Sequence, residues 1–180
     1  MINTTMKKLL AIIILNISFT QVINTTQGIS YDSINEAIQE VNDYDIIEVG
    51  PQIYYERVTI WNPLTLIGSN SILDCSGYTQ GIIVAANEVN ISGFEIIGDE
   101  DTVVGIEVTG GCDDVIISDN IIHGMSMPNP ANQSNFSYGI LAYGSESTPN
   151  PPDALTISNN EIFVLFFKDI SILARNLHQL

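Results

Sequence analysis

Positive charge is what this sequence has least of. Its 180 residues hold 5 Lys and Arg against 21 Asp and Glu, a formal net charge of −16, and no Lys or Arg falls between Arg57 and Lys168. A surface of that sign repels phosphate backbones, which argues against a nucleic-acid partner. Long apolar runs are also missing. The one run of note, Leu9-Leu10-Ala11-Ile12-Ile13-Ile14-Leu15, is far short of the about 20 residues a membrane helix needs. After the helical stretch at 32–41, apolar runs are three to five residues long up to Ile162. Hydrophobic content is nonetheless 45%, ordinary for a chain that buries a core and too high for disorder.

Lys7 and Lys8 precede the apolar run, and polar residues follow from Thr20. Positive first and apolar next is the layout of an export signal, expected at residues 1–20. Its removal would take the formal charge from −16 to −18, because Lys7 and Lys8 leave with it. The expected location is therefore secreted, periplasmic or cell-surface. Sequons occur at Asn24, Asn90, Asn132 and Asn135.

The strongest signal in the chain is an octet that recurs. It reads Val89-Asn90-Ile91-Ser92-Gly93-Phe94-Glu95-Ile96, then Val115-Ile116-Ile117-Ser118-Asp119-Asn120-Ile121-Ile122, then Leu155-Thr156-Ile157-Ser158-Asn159-Asn160-Glu161-Ile162. A weaker copy begins at Leu64, so the anchors Leu64, Val89, Val115 and Leu155 advance by 25, 26 and 40 residues. Self-similarity at a fixed period marks a repeat architecture. The short runs between the copies are β-branched and punctuated by Gly, Asn, Asp and Pro, which makes them strands.

A repeat of this length holds three short strands with their bends. The spacing predicts that each strand pairs in parallel with its counterpart one repeat later, about 4.8 Å away. Side-chain alternation then assigns Val89, Ile91 and Ile96, Val115, Ile117 and Ile122, and Leu155, Ile157 and Ile162 to the interior. Ser92, Ser118 and Ser158 should form one ladder. Asn120 and Asn160 should form a second at a bend, where Asn also tolerates left-handed backbone. Ile72 follows Leu64 by 8 residues rather than 7, which predicts one extra residue in the first copy. Cys75 and Cys112 fall at different phases of the repeat. A bridge needs Cα atoms within about 7 Å, so both thiols are expected unpaired.

Ahead of the repeats, Ile34, Ala37, Ile38 and Val41 make a helical stripe, with Ser33 and Glu36 in a capping-box pattern. The stretch Glu36-Ala37-Ile38, then Asp45-Ile46-Ile47-Glu48-Val49, Tyr54-Tyr55-Glu56-Arg57-Val58 and Leu64-Thr65-Leu66-Ile67-Gly68, together with the octets, resembles the right-handed parallel β-helix proteins of the pectin-lyase-like superfamily. The NosD-type and prokaryotic surface members are particularly similar. The resemblance implies an all-β, single-stranded right-handed parallel β-helix of about four to five coils with a short N-terminal capping helix. The expected organisation is a linker at 21–29, a β-helix domain at 30–164 with its helical cap at 32–41, and a tail at 165–180. That tail is either a cap over the last coil or the remnant of a longer helix.

Chemistry is harder to place. Lyases of this superfamily use calcium and an Arg or Lys base, and no basic residue lies on the repeats. Its hydrolases use clustered Asp residues with Gly-His-Gly and Arg-Ile-Lys motifs. Here Asp113 and Asp114 with His123 are the candidate catalytic set, without those motifs. The residues fit polar bends better, and the expectation is a chain without catalysis. A polysaccharide lyase or hydrolase fragment is the enzymatic alternative. His123, Met125 and Met127 could offer soft ligands to copper, in keeping with the NosD resemblance. Stacked carboxylates such as Glu88 and Asp114 could take calcium. Two Pro-rich insertions, 125–137 and 145–153, are flanked by Phe136, Tyr138 and Tyr143, which could stack on sugar rings. The expected role is thus a structural or carbohydrate-contacting module whose partner is a polysaccharide or cell-envelope glycan.

Overall fold

The computed structural model describes residues 22–126, 136–144 and 152–165. The expected export signal, Met127, Asn132, Asn135, most of both Pro-rich insertions and the tail beyond Leu165 lie outside the described residues. In chain order the elements are β1 (Val22–Asn24), β2 (Ile29–Tyr31), α1 (Ile34–Gln39), β3 (Asp45–Val49), β4 (Ile53–Tyr55), β5 (Val58–Ile60), β6 (Leu64–Asp74) and β7 (Gln80–Val84). They continue with β8 (Asn90–Ile97), β9 (Val104–Val108), β10 (Ile116–Ser118), β11 (Ile121–Ser126), β12 (Tyr138–Ala142), β13 (Thr156–Ser158) and β14 (Glu161–Leu165).

The chain is built mostly of strands in parallel sheets. One sheet runs β13-β10-β8-β6-β3-β1-β2, with β4, β11 and β14 joined beside it, and the other runs β12-β9-β7-β5. Strand β1 pairs antiparallel with β2 and β3, and every other pairing among the described residues is parallel. Like falls beside like. Ile47, Leu66, Ile91, Ile117 and Ile157 are consecutive partners across five strands, and Ser92, Ser118 and Ser158 follow the same register. A second row joins Tyr54, Leu73, Ile96, Ile122 and Ile162, and a third joins Val58, Ile82, Ile106 and Ile140. These rows fill the core, where Ile47, Leu66, Ile91 and Ile117 are all 0% exposed. The octet side chains expected inside are buried in the Val89 and Val115 copies, whereas Ile157 and Ile162 in the last copy are 49% and 43% exposed.

Three details depart from the reading of the sequence. Residues 21–29, expected as a linker, hold β1 and reach β2, because Val22–Asn24 adds a strand to the edge of β3. The first copy carries two extra residues rather than one, since Ile67 partners Ser92 while Ser71 partners Phe94. Leu73, not Ile72, therefore takes the interior place beside Ile96. The left-handed residues are also one place earlier than the Asn ladder: Gly93, Asp119 and Asn159 have φ of 77°, 57° and 55°. Glu88, Asp114 and Ala154, just before the strands, form a second left-handed series at 55°, 56° and 51°.

Helix α1 buries Ile34, Ala37 and Ile38. Ser33 Oγ accepts from Glu36 N at 3.1 Å, and Glu36 Oε2 accepts from Asp32 N at 3.1 Å. The remaining N-terminal donors turn to Glu56, whose carboxylate accepts from Ile34 N at 2.9 Å and Asn35 N at 3.0 Å. That is an anion where a helix start leaves its N–H groups without partners.

Nearby, Asp45 is almost wholly buried and accepts from Asn24 Nδ2 at 2.8 Å, Asn42 N at 2.8 Å and Gln27 Nε2 at 2.5 Å. Burial by itself would raise its carboxyl, but the three hydrogen bonds together outweigh burial and pull it below the ordinary aspartate value of 3.8. A depressed folded-state value stabilises the fold above the unfolded value, and that contribution is lost as pH falls through the folded one. The urea midpoint of the wild type should therefore drop more steeply than that of Asp45→Asn as pH is lowered from about 6 to about 3.

A column of glycines decides how closely the two sheets approach. Gly81, Gly105 and Gly139 stand at one level of β7, β9 and β12, opposite Ile96, Ile122 and Ile162. A Cβ on Gly105 would lie 2.5 Å from Ile122 Cγ2 and 2.6 Å from the backbone oxygen of Gly139. Neither neighbour can retreat, since one is in the core and the other is main chain. Gly105→Ala should cost about 1–3 kcal/mol through overpacking, read as a lower urea midpoint at unchanged slope.

Candidate functional site

Asp113 and Asp114 precede β10, whereas His123 lies in β11 beyond the bend at Asp119 and Asn120. The structure does not bring the three together. Asp113 belongs to a ladder along one bend: its N–H donates to Asn87 Oδ1 at 3.0 Å, and its Oδ1 accepts from Asp153 N at 2.9 Å. Its backbone oxygen takes the N–H of Glu88 at 2.9 Å, and Asp114 N reaches Asp153 O at 3.2 Å. Asp113 and Asp114 thus tie the bend to its counterparts in the preceding and following copies.

His123 sits on the outer face, half-buried, with Nε2 at 2.9 Å from Glu95 Oε1. Met125 is fully buried in the core. Residues two apart in a strand ordinarily share a face. Gly124, at φ 86°, breaks that alternation, and the register with β14 slips between His123 and Ser126. The copper set thus has one ligand outside, one inside and one, Met127, outside the described residues. Among the described residues no group of three or more His, Cys, Asp or Glu gathers as metal ligands. Asp99, in the acidic loop Asp99-Glu100-Asp101, is already engaged by Gly77 N, Asp101 N and Thr102 Oγ1 at 2.9, 3.0 and 3.1 Å. Burial opposes ionisation there, yet these donors hold its carboxyl below the usual range.

Cys75 and Cys112 are free and buried. Burial pushes the Cys75 thiol up to about 12, so it stays protonated at neutral pH and packs as a small apolar side chain.

The aromatics fare differently. Phe136 and Tyr138, 52% and 37% exposed, form a tilted pair with ring centroids 6.4 Å apart. Tyr143 lies at the other end of β12, about 16 Å along the strand. Its hydroxyl donates to Glu107 Oε1 at 2.7 Å, and that hydrogen bond with the carboxylate's charge raises its pKa. The three rings therefore make an exposed pair at the start of β12 and a separate, anchored ring just past its end, on the outermost strand of that sheet among the described residues.

A shallow groove was not foreseen. Asn70, Ser71, Ile72, Gly93, Phe94, Glu95, Asp119 and Ile121 enclose about 220 Å³ where the halves of β6 and β8 bend against β11. Its signal lay in the outward positions of the octet, which carry Glu95 and Ile121 next to the left-handed bend.

No helix among the described residues is long and apolar enough to cross a membrane. Comparison with family models, curated proteins and solved structures finds no match to this chain.

Proposed function

We propose that the strands wind as a right-handed parallel β-helix, that α1 covers its first coil, and that this exported scaffold contacts carbohydrate without catalysing a reaction on it. The parallel register of rows such as Ile47 to Ile157 supports the winding. Crossovers between parallel strands are right-handed in about 98% of cases, which supports the hand. The contact with carbohydrate rests on one observation, the solvent-exposed pair formed by Tyr138, at the start of β12, and Phe136 just before it. An exposed ring pair presents the apolar faces on which the C–H side of a sugar stacks.

Calorimetric titration with neutral and acidic envelope polysaccharides tests this reading. Saturable binding should weaken about tenfold, about 1.4 kcal/mol, in Phe136→Ala/Tyr138→Ala. Binding indifferent to that change, or sugar turnover abolished by Asp113→Asn, would overturn it.

A further inference from the structure

The outer groove is a shallow, open depression whose lining includes Asn70, Ile72, Gly93, Glu95, Asp119 and Ile121. At its centre Glu95 is flanked in register by Ile72 on β6 and Ile121 on β11. A carboxylate between two isoleucines, one of them 41% exposed, presents charge and apolar surface side by side. Glu95 Oε1 is held by His123 at 2.9 Å, and Oε2 has no hydrogen-bond partner among the described residues. Asp119 brings a second carboxylate to the rim and Asn70 an amide. Both stand on left-handed backbone, at φ 57° and 56°.

This combination selects by charge and by size. Two carboxylates in a region without Lys or Arg, on a chain of net charge −16, concentrate cations and repel anionic sugars. The isoleucines favour a cation carried on an apolar face over a hydrated metal ion. A volume of about 220 Å³ is below the about 300–1,000 Å³ of pockets for drug-sized ligands, so it admits one ring-sized unit. A narrow alkyl chain would leave the Asn70 and Asp119 rim without partners, whereas a ring bearing hydroxyls would meet it.

The geometry points to a subsite for a single amino sugar with a free, protonated amine: the ammonium meets Glu95 and Asp119, the ring's apolar face rests on Ile72 and Ile121, and a hydroxyl reaches Asn70. The site extends the carbohydrate reading to a second place on the molecule, and it stands or falls separately from the β12 aromatics.

The test is a titration of the ¹⁵N-labelled protein with methyl glucosaminide, its N-acetyl derivative and N-acetyl-lysine methylamide, followed by amide chemical shifts. Saturable shifts at Gly93, Glu95 and Ile121 are expected with the free amine, at least tenfold weaker with the N-acetyl sugar. Glu95→Gln and Asp119→Asn should each weaken the response at least tenfold, and Phe136→Ala/Tyr138→Ala should leave it unchanged. Asn accepts left-handed backbone as readily as Asp, which keeps the Asp119 variant folded. Absence of saturation, equal binding of the N-acetyl sugar, insensitivity to both groove variants, or tighter binding of the lysine probe would overturn the assignment, the last in favour of a basic peptide.

Discussion

Ile117→Ala is expected to destabilise the protein by about 2–5 kcal/mol, seen as a large fall in urea midpoint. Ile117 is 0% exposed and lies between Ile91 and Ile157 in the register. Its truncation leaves a void that the strands above and below cannot fill, because their own positions are fixed by main-chain hydrogen bonds. The cost thus includes the cavity as well as the lost apolar burial. Ile157→Ala, in the same row but at a side chain 49% exposed, should cost clearly less. Equal losses at the two positions would contradict the assignment of the interior.

Asn120→Ala should rival it. Asn120 is fully buried at the bend between β10 and β11. Its Oδ1 accepts from Phe94 N at 3.1 Å, and its Nδ2 donates to Ser118 O at 2.9 Å and Asn160 Oδ1 at 3.0 Å. Alanine leaves the Phe94 N–H and the Ser118 carbonyl short of a partner inside the protein, at about 1–3 kcal/mol for each buried group stranded. Asn120→Asp keeps the acceptor but removes the donors and introduces a charge, so it should fall no less far. Asn160→Ala, at the half-buried next rung, should cost less. Protection of the Phe94 amide against hydrogen exchange reports the broken bond directly, and its persistence in Asn120→Ala would remove the basis for this role.

The rows and ladders were legible because a repeat writes the same environment several times. Ile91, Ile117 and Ile157, or Asn120 and Asn160, announce their equivalence by spacing alone. What escaped has no such echo. Strand β1 occurs once, runs antiparallel to its neighbours and borrows its burial from β3, so no period marks it. The two-residue excess in β6 was hidden because Ile72 and Leu73 are both apolar, and only packing decides which of them faces in. The glycine column was in plain view as Gly-Ile at 81, 105 and 139, but its meaning is steric and needs the opposite isoleucines to be seen.

The candidate site was less legible still. His123 and Met125 share a face in any regular strand, and Gly124 separates them through backbone geometry that hydropathy does not carry. Asp113 reads equally well as an acid or as a bend residue until its hydrogen bonds to neighbouring strands are known. The groove around Glu95 arises from side chains far apart in sequence, brought side by side by the register itself.

That register is therefore the point to measure. Cross-strand proton contacts by nuclear magnetic resonance should link the amides and α-protons of Ile91 with those of Ile117, and Ile117 with Ile157, in the slanted pattern of parallel neighbours. Direct contacts between α-protons of facing strands, the mark of antiparallel pairing, or the absence of any contact between these three residues, would contradict the stacked parallel architecture.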